Sequence, residues 1–446
     1  MAASTGVRAQ PSRRMSRRFP WLVFTLTFAL MLSDYMSRQV LAAVFPYLKA
    51  DWGLSDTALA GLTSIVSLMV GLLAVPLSLL GDRWGRARAI VAMAFVWSAA
   101  TVVSALASSY GQLFAARAAI GIGEAAYASV GLAVVLSVFS PARRAVLAGT
   151  FTAGGSFGSV LGVALGGAFA AQFGWRWAFA AMGLAGLVLA IMYAMLITDR
   201  GLGAHRVPEA DTGPPRGARP HRAGLGTLFS TPSVVLAYVA NGAQLFVAAS
   251  LVVWLPSYLN RAHHMTPPRA ASVAALLILV LGAGMIGCGL ITDRVRRHRP
   301  IRQWSAAIVF SALSLVLLSI SFAMPPGGAQ LPVLAAGCFF AAGTTGPTGV
   351  MVARLTHESV RATAFGMLTM FTNVLGLAAG PFVTGILADR FGLATALRCV
   401  PLAALLAMIA LLIGRQAYPA SVRKLDGRGA VGFTGPAPTV GAELAP

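Results

Sequence analysis

The sequence predicts an all-α membrane protein, with twelve transmembrane helices in two six-helix bundles related by a pseudo-two-fold axis. Three observations carry this expectation. The 446 residues are 57% hydrophobic and 11% charged, whereas soluble domains are about a quarter charged. Apolar stretches of the roughly 20 residues needed to cross a hydrocarbon core of about 30 Å recur from 19 to 414, and twelve fit without forcing. The second half also repeats the first.

Charge sets the expected orientation. With the N-terminus inside and successive spans alternating sides, 26 of the 34 Lys and Arg residues lie on the inner side, 6 lie outside, and Arg38 and Arg117 lie within spans. This asymmetry is the positive-inside rule and predicts both termini in the cytoplasm. The net charge of +21 therefore sets topology, and no basic soluble face is left for nucleic acid. Cys288, Cys338 and Cys399 all fall in predicted spans, which gives no disulfide framework.

In chain order, 1–19 is a basic cytoplasmic tail and 20–197 the first six-span bundle. The first apolar run is too long for the core of a signal peptide and is read as span 1. Residues 198–230, rich in Gly, Pro, Arg and His, have no apolar period and read as a cytoplasmic linker. The second bundle is expected over 231–415, followed by a disordered cytoplasmic tail over 416–446. The repeat supports this division. GDRWGRAR after span 2 matches ITDRVRRHR after span 8, pairing Asp82 with Asp293 and Arg83 with Arg294. RRAVLAGTF of span 5 matches VRATAFGML of span 11, pairing Arg144 with Arg361 and Gly149 with Gly366. Parallel repeats of this kind imply a binding site near the membrane midplane.

Of the 13 acidic residues, only Asp34 and Glu124 fall well inside predicted spans. Ionisable groups at membrane depth are costly, usually face a bundle interior or a wet cavity, and by default mark function. In LSDYMSRQ (32–39), Asp34 and Arg38 are four apart and share a helix face. Arg117 precedes Glu124 by seven residues, two turns along span 4. A buried carboxylate can change protonation as its access alternates, while Arg keeps its charge and can hold an anionic headgroup with two nitrogens. A static ion pair is the competing reading for Arg38, and snorkelling to the outer interface is the competing reading for Arg117. Asn241, Gln244, Ser250, Thr344, Thr345, Thr348, Thr372 and Asn373 offer uncharged polar groups in the second half. They can serve as interhelical hydrogen bonds or as the weakly polar wall of a site for an amphiphile.

The Asp-Arg-x-Gly-Arg loop (Asp82, Arg83, Gly85, Arg86) with its copy after span 8, Arg117-x-x-x-Gly121-x-Gly123, and the glycines of span 5 resemble the signature motifs of the major facilitator superfamily. YMSRQVLAAVFPYLKADWGLSD, WSAAT, GIGEA, GWRWAF and WLPSYLNRAHHM are similar to the Spinster-like transporters within it. The resemblance implies a monomeric secondary transporter working by alternating access, coupled to protons and without a cofactor. Its substrate would be a lysophospholipid or similar amphiphile, with a drug-like hydrophobe or organic anion as alternative. It assigns coupling to the Asp-Arg pair of span 1 and the Glu of span 4, represented here by Arg38 and Glu124, and implicates Arg117 in substrate or proton handling. Asp34, Ser37, Asn241, Thr345 and Asn373 are expected to line the same cavity on the residues themselves. Ser37 departs from the family pattern, which usually has Asp before this Arg; Glu124 is then the stronger coupling candidate, with Asp34 one turn below. The resemblance also implies an inner gate in which Asp82 meets the N-terminal dipole of span 11 and the arginines of the span 4–5 loop, such as Arg144. Asp293 and Arg294 would form its weaker copy. GILADRFG (385–392) resembles the same motif, but helix counting places it outside, and it is set aside as a decoy.

Other functions find little in the sequence. The only lysines, Lys49 and Lys424, sit in no phosphate-binding loop, and neither HExxH nor a nucleophile elbow occurs. A sensor that keeps a transporter fold remains open, since fold does not dictate function.

Overall fold

The computed structural model describes residues 18–205, 232–296, 301–356 and 361–430. These residues hold twelve helices long and apolar enough to cross a membrane. Spans 1 to 6 are Arg18–Trp52, Asp56–Gly81, Arg86–Leu106, Tyr110–Val138, Val146–Phe173 and Trp175–Leu196. Spans 7 to 12 are Pro232–Ala262, Pro267–Val295, Arg302–Ala323, Gln330–Leu355, Thr363–Phe391 and Leu393–Ser421.

Two spans are broken, and the breaks obey the repeat. Span 4 consists of Tyr110–Glu124 and Tyr127–Val138, and span 10 of Gln330–Ala341 and Thr345–Leu355. Their first segments end at Glu124 and Ala341, 217 residues apart, which is the offset that pairs Arg144 with Arg361. Non-helical backbone at membrane depth is tolerated only where it is buried in protein or lines a wet cavity. Span 11 carries a π-helical stretch, Thr372–Ala378. The same region of span 5 lies within the continuous helix Pro141–Phe173, so the two halves differ here.

Glycine spacing explains how span 1 is held. A Cβ at Gly158 would lie 2.7 Å from the Leu32 carbonyl oxygen, one at Gly162 2.8 Å from Met36 Cα, and one at Gly166 2.7 Å from a Val40 methyl. Span 5 therefore meets the Leu32 to Val40 stretch of span 1 backbone to backbone, as small residues allow. Span 4 uses the same device on two sides. A Cβ at Gly121 would meet Val66 O of span 2, and one at Gly123 would meet Trp97 N of span 3, both at 2.7 Å.

The chain divides into two compact units that do not follow the expected halves. Unit 1 comprises Met1–Arg216, Ser250–Gly282 and Pro381–Ala396; unit 2 comprises Gly217–Ala249, Ala283–Gly380 and Leu397–Pro446. One division, between Arg216 and Gly217, falls within the expected linker 198–230, and further cuts fall within spans 7, 8, 11 and 12, so that the end of span 7, the start of span 8, the end of span 11 and the start of span 12 belong to unit 1. Specific packing accounts for this. Within unit 1, Phe45 lies 5.3 Å from Trp254, the Trp254 indole donates to the Pro381 carbonyl at 3.1 Å, and Gly167 leaves room for Ala271. The core of unit 1 includes Leu30, Trp97, Ile120 and Tyr127, and that of unit 2 Tyr238, Trp304, Met351 and Leu411.

Two further boundaries are corrected. The expected linker begins with a short helix, Asp199–Ala204, because Thr198 caps Gly201 N–H at 3.2 Å and Asp199 accepts from Ala87 N–H at 2.8 Å. The rest of the linker, 206–230, lies outside the described residues. The last helix does not end near 415 but runs through Leu402–Ala430. Its polar continuation is anchored where Tyr418 packs on Trp304 and the hydroxyls of Ser233 and Ser421 meet at 2.9 Å. Residues 1–17 and 431–446, where tails are expected, also lie outside the described residues.

The span 5 glycines yield a controlled prediction. Gly162→Ala forces spans 1 and 5 apart and lowers the apparent melting temperature in detergent by several degrees. Gly149→Ala, where a Cβ meets nothing within 4 Å, leaves it unchanged or raises it slightly, since replacing a helical Gly by Ala gains about 0.5–1 kcal/mol. Size-exclusion thermostability of the two variants measures the contrast.

Candidate functional site

Span 1 turns Asp34 and Ser37 into the interior of unit 1, both at most 3% exposed. Arg38, one residue on, reaches the span 4 break. Its Nε donates to Glu124 Oε2 at 3.0 Å, and its Nη2 donates to the same oxygen. The Glu124 side chain is fully enclosed, while that of Arg38 keeps 11% of its surface exposed. The guanidinium also lies over the Tyr35 ring, 5.4 Å from its centre, a cation–π distance.

The carboxylates of this site are not fully used. Glu124 Oε1 and Asp34 Oδ1 are buried and have no hydrogen-bond partner among the described residues. Asp34 lies close enough to interact electrostatically with both Glu124 and Arg38. Two carboxylates thus act on one guanidinium, and one proton on the pair brings the three groups to neutrality. Ser37 Oγ is buried and unpartnered beside them.

Arg117 does not snorkel. It is 0% exposed and spreads its fork over three main-chain carbonyls: Nε donates to Leu62 O at 3.2 Å, Nη1 to Ser37 O and Nη2 to Arg38 O, both at 3.1 Å. One side chain of span 4 therefore clasps spans 1 and 2 and fixes the backbone from which Arg38 springs. Five donors in a rigid plane suit Arg to this task.

The site continues into residues that sequence reasoning missed. Trp97 Nε1, Ser33 Oγ, Ser98 Oγ and Tyr193 OH are buried without partners among the described residues. Tyr127 OH donates to Thr27 O at 2.6 Å, with its ring 4.9 Å from that of Trp97. Trp97 and Ser98 belong to the WSAAT string, which in the sequence marks only a resemblance and carries no role in the site. The available signal is the position of Trp97 and Ser98 opposite Gly123 and Gly186, where close approach leaves no room for other side chains.

In unit 2, the uncharged residues form a short chain. Thr348 donates to Asn241 Oδ1 at 3.0 Å, and Asn241 Nδ2 donates to Thr372 Oγ1 at 2.7 Å, linking spans 10, 7 and 11. Gln244 Nε2 donates to Ala341 O, the last residue before the span 10 break, at 2.9 Å. Thr345 bonds back to Ala342 O, and Asn373 to Thr369 O, both at 3.0 Å. Asn373 Oδ1, Gln244 Oε1 and Thr344 Oγ1 are buried without a partner among the described residues.

The expected inner-gate residues are only partly brought together. The Asp82 side chain lies outside what is described. Gly85 has φ +100°, and a Cβ there would lie 2.5 Å from an Asp199 oxygen. Asp199 caps the start of span 3 and lies 3.8 Å from Arg88, so a carboxylate not singled out in the sequence sits on the loop. Arg83 is exposed and Arg86 partly buried. Arg144 donates to Phe139 O at 3.2 Å, while Asp293 and Arg294 are exposed near the end of span 8.

Comparison with known proteins follows the same outline. The family model "Major Facilitator Superfamily" matches residues 27–374. An MFS-type efflux pump of Mycolicibacterium smegmatis is 27% identical over 395 residues, 87% of this chain and 89% of the pump. A probable L-galactonate transporter of Escherichia coli is 27% identical over 392 residues, 85% of each chain. The sphingosine-1-phosphate transporter of Danio rerio is 24% identical over 385 residues, covering 80% of this chain and 73% of that one. Among solved structures, a bacterial homologue of the human lysosomal transporter Spinster, inward-facing and unoccupied, superimposes with a TM-score of 0.80 at 18% identity. That match covers 91% of this chain and 99% of the homologue. The chain is an integral membrane protein, is similar in sequence and fold to Spinster transporters, and belongs to the Major Facilitator Superfamily.

Proposed function

We propose that the protein is a proton-coupled secondary transporter for a lipid-like amphiphile with an anionic head, such as a lysophospholipid, and that it works by alternating access. The observation that carries this reading is the Arg38–Glu124 pair, with one unpartnered oxygen on Glu124 and another on Asp34 beside it. A proton taken up by Glu124 cancels the charge that holds Arg38. The guanidinium keeps its own charge and is released to take the headgroup, so proton and anion bind together. Loss of the proton restores the pair and expels the headgroup. Arg117 has its donors committed to backbone and acts as a positioning residue for Arg38. Asp34 supplies a second carboxylate one helical turn before Ser37, which stands where the family usually has an acid. The sphingosine-1-phosphate relative supports an amphiphile.

A second reading, export of hydrophobic compounds or symport of an organic anion, draws on the efflux-pump and L-galactonate relatives. It keeps the same roles for Arg38 and Glu124. The distribution of Lys and Arg supports an orientation with both termini in the cytoplasm, and the bacterial efflux-pump and L-galactonate relatives favour a bacterial inner membrane.

Uptake of a lysophospholipid into proteoliposomes under an imposed pH gradient tests the reading. Glu124→Gln keeps a hydrogen-bonding group but cannot exchange a proton. It loses gradient-driven accumulation about tenfold or more while retaining exchange of labelled for unlabelled substrate. Arg38→Ala loses both, because a hydrogen bond to a charged group is worth about 1.5–3 kcal/mol, roughly tenfold to a hundredfold in affinity. Undiminished gradient-driven uptake by both variants would sink the assignment, and absence of flux with any tested amphiphile, drug or organic anion would favour a sensor. Asp34→Asn shifts the pH at which binding is half-maximal and leaves exchange intact, read from binding titrations across pH.

A further inference from the structure

We propose that Asp389, Asp56, Arg261 and Lys49 form an ionic latch at the end of unit 1 expected to face outward, and that its release is a step of the transport cycle. The inference deepens the transporter reading and rests on it.

The latch is built on the N-terminus of span 2. The first N–H groups of a helix have no partner within it. Here Asp56 N–H donates to Asp389 Oδ1 at 2.7 Å and Thr57 N–H to Asp389 Oδ2 at 2.8 Å, while Ala58 N–H is taken by Ser55 Oγ at 3.0 Å. A carboxylate at the end of span 11, more than 300 residues away in sequence, therefore caps span 2 and lies on its positive dipole end.

Asp56 itself faces the other way and gathers two cations. Arg261 of span 7 grips it with both terminal nitrogens, at 2.7 and 2.8 Å, and Lys49 of span 1 adds a third contact at 2.7 Å. Bidentate Arg–carboxylate pairing is the strong, directional form of this bond. Two carboxylates and two cations from four spans balance at one helix end. The backbone is shaped for it: a Cβ at Gly385, one turn before Asp389, would lie 2.8 Å from both Ala60 Cβ and Asp56 O. Only glycine lets span 11 approach so closely. Behind Arg261 the chain reverses through His264 at φ 53°, held where Asn260 Nδ2 donates to Met265 O at 2.8 Å.

The arrangement suits a reversible bond. The Asp56 side chain is 4% exposed, but Arg261 and Lys49 keep 31% and 40% of theirs, so water reaches the cations when they part from it. Phe45 and Trp254 provide dry packing elsewhere in unit 1. The latch joins residues of the first repeat to residues of the second, and alternating access requires such links to break once per cycle. It also reverses the role expected of Asp82. That acid, at the opposite end of span 2, is expected to meet the start of span 11, whereas Asp389 at the end of span 11 meets the start of span 2. GILADRFG is therefore a working motif and not a decoy.

Electron–electron distance measurements on the purified full-length protein in detergent test the proposal, with spin labels at Gly111→Cys and Phe391→Cys. Both sites are exposed and Gly111 has no neighbours; Cys399→Ser removes the exposed native thiol. In the otherwise unsubstituted protein one short distance dominates. In Asp389→Asn and in Arg261→Ala, a longer component rises from the roughly 0.1–10% typical of a minor state to about half. Arg261→Lys, which keeps the charge but not the fork, falls between. If a variant does not elute as a single species, the double-labelled protein at 1 M salt, where the screening length is about 3 Å, takes its place. Distances that stay unchanged in the folded variants, or in salt where it stands in, overturn the latch and leave static packing. Distances require no substrate, so a shift without any gradient-driven flux would sink the transporter reading and leave the latch, whereas normal flux with unchanged distances would sink the latch alone.

Discussion

A guanidinium enclosed with carboxylates near the middle of a membrane span is the constraint on which much of this structure depends. Removing one partner of a buried ion pair costs about 3–5 kcal/mol, so the geometry around Arg38 and Glu124 has to be maintained by groups that do not take part in the exchange. Arg117 and the glycines meet that need. Arg117 ties the carbonyls of Ser37, Arg38 and Leu62 together, and Gly158, Gly162 and Gly166 seat the same stretch of span 1 against span 5. Gly121 and Gly123 place span 4 between spans 2 and 3. These glycines, which read in the sequence as generic packing, are the scaffold of a charged site.

The distribution of charge follows the same logic. At its centre the protein holds few ionic groups, nearly dry and short of partners. At the end of span 2 it holds four, partly wetted and fully matched. Central groups short of partners can gain or lose a proton or a ligand. Matched groups at a rim are suited to holding two elements together until something pulls them apart. Hydrogen bonding in unit 2 is of a third kind, neutral and continuous through Thr348, Asn241 and Thr372, and it joins helices without placing charge in them.

Much of the fold was legible in the sequence because membrane crossing imposes a length and an apolar composition that no other constraint imitates. The twelve spans and the rarity of acids inside them could be read directly. The offset of the repeat even anticipates the matching breaks after Glu124 and Ala341. What could not be read depends on contacts distant in the chain. Asp389 looks like a misplaced copy of a loop motif until the start of span 2 is found beside it. The carboxylate that caps the start of span 3 is that of Asp199, which lies in a stretch whose composition suggests only a linker. The long last helix was hidden for a similar reason, since its polar residues read as a tail unless the Trp304 ring that receives Tyr418 is known. The π-helical stretch of span 11 has no signature in composition.

The three carbonyl bonds of Arg117 carry a kinetic consequence. Because they fix the main chain at Ser37 and Arg38, the Arg38 head can change partners only by rotating its own side chain. Collective movements of helices take microseconds to milliseconds, whereas re-pairing at Arg38 moves one side chain over a fixed backbone. Ion pairing at Arg38 is therefore a local event nested within each larger motion. Its occupancy acts on the turnover rate by biasing which slow motion comes next and does not serve as a slow step itself.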